Sequence, residues 1–151
     1  WAEKNSGIMI HSQAPETMLL NQGFPLSLEF QLLGGVENGV QRPSGNLCTP
    51  ATYVEMKGEK ITEHCIMAES NTYYGEEWIE AEVIVDGNSI THFIDGELAI
   101  SYSKPSIGGE YLDSASEDIQ AKDGEALTNG YISLQSESHP VEFRKIQILE
   151  L

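Results

Sequence analysis

The stretch WIEAEVIVDGNSITHFIDGELAISY (residues 78–102) decides the fold class. Ile79, Ala81, Val83 and Val85 alternate with Trp78, Glu80, Glu82 and Ile84, a period of two that gives a strand one apolar face. Asp86, Gly87 and Asn88 then turn the chain into residues 89–94, and Asp95 with Gly96 turns it again into residues 97–102. Asp-Gly between alternating runs signals a hairpin, because its tight turns need positive φ at their centre. Three strands in a meander follow, with the apolar face directed at a core, and Trp78 at the head of this amphipathic run is expected in the core as well.

The same grammar extends in both directions. Leu26, Leu28, Phe30 and Leu32 alternate with Ser27, Glu29 and Gln31, a half-buried strand. Residues 6–12 alternate more loosely around Ile8 and Ile10. Residues 52–56 and 59–66 flank Lys57 and Gly58, which predicts a further hairpin. The end, GYISLQSESHPVEFRKIQILEL (residues 130–151), repeats the pattern. Ile132 and Leu134 alternate with Ser133 and Gln135, and beyond a polar turn holding Ser138, His139 and Pro140, Val141 and Phe143 alternate with Glu142 and Arg144. Short strands joined by Gly-rich turns predict an all-β, antiparallel two-sheet jelly-roll sandwich in one domain, residues 1–151. Residues 38–50, 69–77 and 104–129 interrupt it as long polar loops, which in a compact domain tend to carry function. No segment has a helical period.

Composition limits the partners. The chain has 151 residues and is 40% hydrophobic, enough for one real core and too apolar for a disordered acidic tail. A net charge of −16, from 24 acids against 8 bases, argues strongly against a nucleic-acid partner, which requires a basic face to release counterions. No apolar run approaches the roughly 20 residues of a spanning helix, so no membrane span is expected. A neutral carbohydrate or a divalent cation remains compatible with this charge. Oligomeric state is not legible. A chain beginning at Trp1 without Met reads as processed or trimmed, and its lack of a leader says nothing about secretion.

The strings NSGIMIHSQ, GNLCTPATYVEMKGE, WIEAEVIVDGNSITHFIDGE and GYISLQSESHPVEFRKI, in this order from Asn5 onward, resemble the 3-keto-disaccharide hydrolase domain family. The resemblance implies a concanavalin-like β-sandwich from a secreted or periplasmic bacterial carbohydrate-processing protein. Members usually carry an early strand or two ahead of the NSGI motif, and this chain starts just upstream of that motif, so the first strands are expected to be lacking. Cys48 and Cys65 could be free buried thiols, a disulfide, or, with His64, part of a metal site that lacks a fourth ligand at recognisable spacing. The extracytoplasmic setting implied by the resemblance favours the disulfide.

Site candidates come from polar strand faces and from the same strings. Glu29 and Gln31 share one face of a strand that, in the resembled family, crosses the concave sugar cleft. Asn5, Ser6 and His11 frame a strand whose counterpart also lines that cleft, although Asn5 and Ser6 could simply open a turn. The final hairpin adds Gln135, Glu137 and Arg144, with His139 at its corner, where an imidazole can shuttle a proton near neutral pH. A solvated outer face is the competing reading of that hairpin, and a charge partner for surrounding acids is the competing reading of Arg144. His64 is a further candidate for the cleft, whereas His92, alternating with Ile90 and Ile94, reads as structural. Tyr73 and Tyr74 could rim the cleft. The acids Asp113, Glu117, Asp118, Asp123 and Glu125 lack the spacing of a calcium loop and read as a solvated acidic loop. No cofactor is expected outright, though a divalent metal such as calcium stays among the options.

Two functions emerge. In the first, a hydrolase acts on a 3-keto-glycoside, where the ketone acidifies the C2 proton and a base removes it to expel the C1 substituent before water adds back. Glu29 or His139 is the expected base, Glu137 the alternative acid, and Arg144, Gln31 and Gln135 the positioning groups. In the second, a non-catalytic, lectin-like carbohydrate-binding module uses the same fold. A module needs aromatic platforms, an enzyme a titratable pair, and the candidate strands carry more of the latter.

Overall fold

A computed structural model describes residues 4–37, 39–137 and 140–151. Among the described residues, ten strands form two antiparallel five-stranded sheets. They are β1 (Asn5–Ser12), β2 (Leu28–Leu33), β3 (Asn46–Cys48), β4 (Thr52–Met56), β5 (Glu59–Ile61), β6 (Cys65–Ile66), β7 (Ala81–Asp86), β8 (Ser89–Ile94), β9 (Glu97–Ile107) and β10 (Tyr131–Glu137). The first sheet runs β10-β1-β2-β3-β6 and the second β5-β4-β9-β8-β7. This is the expected β-sandwich. Helix among the described residues is limited to a four-residue turn, α1 (Glu117–Gln120), and two short 3-10 turns. No helix among the described residues is long and apolar enough to cross a membrane.

The meander forms as its turn chemistry requires. Asp95 and Gly96 adopt φ of 51° and 79° and connect the paired ends Ile94 and Glu97, a two-residue turn with both φ positive. Lys57 and Gly58, at 53° and 84°, do the same between β4 and β5. The predicted strand over residues 59–66 is divided, however. Its first part, β5, stays in the second sheet, while β6 crosses to pair with β3 in the first. The loop expected over 38–50 likewise contains a strand, since Asn46–Cys48 pairs with β2.

Leu28, Phe30 and Leu47 of the first sheet meet Val54, Ile90, Ile94 and Tyr102 of the second, all almost fully buried. His92 lies inside this core. Its ring stacks on Phe30 at 4.3 Å, Nδ1 is 3.0 Å from the Gly45 carbonyl, and Nε2 is 2.9 Å from the Tyr102 hydroxyl. A carbonyl can only accept, so Nδ1 carries the proton and Nε2 accepts from Tyr102. Burial pulls the His92 pKa down to about 4, which keeps the ring neutral as this arrangement needs.

Two expectations are corrected. Residues 141–144 form no strand: Pro140 cannot donate to a ladder, Lys145 at φ 53° breaks the extended run, and residues 146–151 are exposed. The terminal hairpin therefore reduces to β10, an edge strand whose Ile132 and Leu134 remain exposed. Trp78 is not a core residue either. It precedes β7, is 47% exposed, and carries the Arg144 guanidinium 3.9 Å above its ring.

Candidate functional site

The outward face of the first sheet assembles most of the predicted polar residues, because directly opposed residues of antiparallel strands share a face. Strand register arranges them in three rows. Glu137 faces Asn5, which faces Leu33. Gln135 faces Gly7, then Gln31, then Asn46. Ser133 faces Met9, then Glu29, then Cys48, then Cys65. The last two are joined as a disulfide, which ties the short edge strand β6 to β3 beside Glu29.

Hydrogen bonds orient the rows. The Asn5 amide donates to Glu137 Oε2 at 2.5 Å. The Ala68 N–H donates to Asn46 Oδ1 at 2.8 Å, which turns the Asn46 NH2 toward Gln31 Oε1 at 3.0 Å. That commits the Gln31 carbonyl and keeps its NH2 as the group available to a ligand. Gly7 has a steric reason to be glycine. A Cβ there would come within 3.0 Å of both Glu29 Oε1 and the Phe30 carbonyl, so the Glu29 carboxyl lies across the space a side chain would take.

Glu29 is only 4% exposed. Burial, and secondly the charge of Glu137, push its pKa up to about 8, so it holds its proton at neutral pH. Glu29 Oε1, Asn5 Oδ1 and Gln135 Oε1 are buried without a hydrogen-bond partner, as are Nδ1 of His11 and of His64. Buried polar atoms are normally satisfied, and a concentration of bare acceptors on one face marks a place built for hydrogen-bonding ligand groups. Among the described residues no three His, Cys, Asp or Glu side chains converge as a metal-holding group.

The remaining candidates divide. His11 sits at φ 48° where β1 bulges out of register with β10, and burial pulls its pKa down, so its ring is neutral. Bulges of this kind re-aim side chains beside sites. His64 packs edge-on against Tyr111 at 5.1 Å. Ser6 faces the opposite side of β1 from Asn5, and its hydroxyl donates to the Leu32 carbonyl at 3.3 Å. Arg144 is apart from the three rows, on Trp78. His139 lies outside the described residues. Tyr73 packs on the core with its hydroxyl 2.9 Å from Asp95, while Tyr74 is exposed in the same loop.

Sequence reading missed three contributors. Asn46 was hidden in a stretch read as loop. Gly7 carried a signal, an isolated glycine inside a strand pattern, which marks close approach. Tyr111, at φ 71° in the long excursion after β9, touches both His64 and Phe24. An open cavity of about 580 Å³, lined by Tyr53, Glu110, Asp113, Gln120 and Asp123, shares Tyr111 with this end of the face.

A family model described as the 3-keto-alpha-glucoside-1,2-lyase-like domain matches residues 1–149. The chain belongs to that family. Membership places this β-sandwich among carbohydrate-active domains and accords with a polar face rich in amides and carboxyls. Neither the curated proteins nor the solved structures contain a match to the chain.

Proposed function

We propose that this domain cleaves the glycosidic bond of a 3-keto-glycoside by acid/base chemistry on the outward face of its first sheet. The observation that carries the reading is the pair of carboxyls, Glu29 and Glu137. One is buried and protonated at neutral pH, and the charge of the other contributes to keeping it so. Titratable pairs whose environments separate their protonation states are the mark of acid/base assignment.

The reaction needs two proton transfers. Glu137, held by the Asn5 amide, takes the C2 proton that the neighbouring ketone has acidified. The electron pair moves onto the C3 oxygen as an enolate, then returns to form the C1=C2 double bond as the C1–O bond breaks. Glu29 gives its proton to the departing oxygen. Water adding back across C1 and C2 completes a net hydrolysis, and omitting that step leaves a lyase. Sequence reading makes Glu29 or His139 the base and Glu137 the alternative acid, but burial favours the reverse for the two carboxyls, since one with a pKa near 8 is an acid at neutral pH. Gln31, Gln135 and Asn46 hold sugar hydroxyls, and an extracytoplasmic location, where a disulfide persists, belongs to the same reading. The three rows carry no aromatic ring, which disfavours the binding module, since stacking platforms are its main device.

The test is direct. The protein is mixed with a 3-keto-glycoside and with its unoxidised parent, and released aglycone is measured. Release from the keto substrate alone, falling ~10²–10⁴-fold in Glu29→Gln and in Glu137→Gln, is expected. Binding without release would establish a carbohydrate-binding module instead.

A further inference from the structure

The backbone fixes which end of the Gln31 amide faces a ligand. Asn46, the register partner of Gln31 on β3, is 1% exposed, and its Oδ1 accepts from the Ala68 N–H at 2.8 Å. A backbone N–H can only donate, so Asn46 has no choice of orientation. Its NH2 faces Gln31 and donates to Oε1 at 3.0 Å. The Gln31 oxygen is thereby used, and the group left over is always a donor. Among the described residues nothing comparable holds the Gln135 amide across Gly7, whose Oε1 is buried without a partner.

Three side chains converge around Gly7. Gln31 is its register partner on β2, and the Glu29 carboxyl lies across it, with Oε1 at 3.0 Å from where a Cβ would stand. Glu137 is held by Asn5, two residues before Gly7 on the same face of β1. Glu29 and Gln31 are thus neighbours on one strand face, about 7 Å apart at two residues' rise, with Glu137 beside them. The elimination has the same layout. The proton leaves C2, the departing oxygen is on C1 to one side, and the ketone oxygen is on C3 to the other. Negative charge on that C3 oxygen would otherwise meet acceptors, since Glu29 Oε1, Asn5 Oδ1 and Gln135 Oε1 are all bare. A donor locked in place before the charge develops needs no reorganisation to stabilise it.

We propose that Gln31 is a catalytic residue of this site, its side-chain NH2 donating a hydrogen bond to the C3 oxygen of the bound keto-sugar as that oxygen becomes an enolate, and that Asn46 is the residue that positions it. The inference rests on the elimination chemistry proposed above and narrows Gln31, among the groups that hold the sugar, to the oxygen that takes the charge. Glu137 takes the C2 proton, Gln31 holds the electron pair on the C3 oxygen, and Glu29 protonates the leaving oxygen as the pair returns. No proton leaves Gln31 in the cycle.

Two readouts on the whole domain carry the test: exchange of the C2 hydrogen of a 3-keto-glycoside for deuterium from heavy water, and release of aglycone. Gln31→Met keeps the length of the side chain and removes the amide. It is expected to slow both readouts about 10²-fold with little change in KM, the usual loss for one oxyanion donor. Gln31→Glu keeps an acceptor for Asn46, loses only the donor, and should slow them at least as far; urea midpoints near that of the wild type show that both variants are folded. Glu29→Gln, by contrast, is expected to slow release while exchange continues, which separates the two donors. Asn46→Leu frees the Gln31 amide to turn. It should slow exchange on its own and add nothing to Gln31→Met, because a residue that acts through another has no effect once the other is gone. Equal losses in both backgrounds would overturn the positioning role of Asn46. An active wild type whose Gln31→Met variant exchanges and releases at full rate would overturn the role of Gln31 and leave the elimination reading intact. A wild type that neither exchanges nor releases would overturn both.

Discussion

Replacing Glu29 with glutamine should make this protein more stable at alkaline pH while impairing the activity proposed for it. Unfolded, the carboxyl titrates near 4.5; folded, it titrates near 8, first because it is buried and second because Glu137 is charged nearby. Between those two values the folded chain keeps a proton that the unfolded chain has released. Stability must then fall as pH rises through that window, by about 1.4 kcal/mol per pH unit, and the loss is complete only above the folded value. Below the lower value both states are protonated and the penalty vanishes. The accumulated cost is on the order of 4–5 kcal/mol, a large share of a typical domain's stability. Gln has nearly the same shape and no titration. Urea unfolding of wild type and Glu29→Gln, followed by far-UV circular dichroism from about pH 5 to about pH 8, should give curves that nearly meet at the acid end and diverge toward the alkaline end, with the variant higher. His11 titrates in both proteins, so its contribution cancels in the difference. Two parallel curves would show that Glu29 ionises freely in the folded state and would remove the basis for casting it as an acid.

Other expectations follow from single contacts. Cys48 and Cys65 are bonded, so thiol labelling of the unfolded, unreduced protein should find no free thiol, and Cys48→Ala with Cys65→Ala should cost about 3 kcal/mol for the 17-residue separation they close. His92→Ala removes a buried ring stacked on Phe30 and strips the Tyr102 hydroxyl and Gly45 carbonyl of their partner, for about 3–5 kcal/mol in urea unfolding; a loss below about 1 kcal/mol would contradict the buried network. Gly7→Ala pushes a methyl against Glu29 Oε1 and the Phe30 carbonyl and should cost about 1–3 kcal/mol with reduced turnover, while Gly23→Ala, which meets nothing within 4 Å, should leave both unchanged.

Local patterning made much of the architecture legible. Alternation and Asp-Gly turns identify β7, β8 and β9 because a strand's two faces differ and because a tight turn demands positive φ, both properties of neighbouring residues. The pairing of Glu29 with Gln31 on one face, and of Gln135 with Glu137 on another, follows from the same period of two. What sequence could not supply is which strands lie side by side. Register puts Glu137 opposite Asn5 and Glu29 opposite Cys48, contacts between residues far apart in the chain, and the burial that chiefly raises the Glu29 pKa, with the charge of Glu137 second, comes only with that packing. Residues 141–144 show the limit from the other side. Their alternation is as good as that of β10, but a strand exists only where a neighbour pairs with it, and no strand among the described residues pairs with this segment, which Lys145 ends at φ 53°. Tyr111 and Asn46 escaped notice for the same reason: each lies in a stretch without periodicity, and each gains its role from the strands and rings the fold brings against it. Periodicity and turn chemistry are local and so were readable in the chain; burial, charge proximity and the partners of each polar atom are set by distant residues, and only the packed sheets decided them.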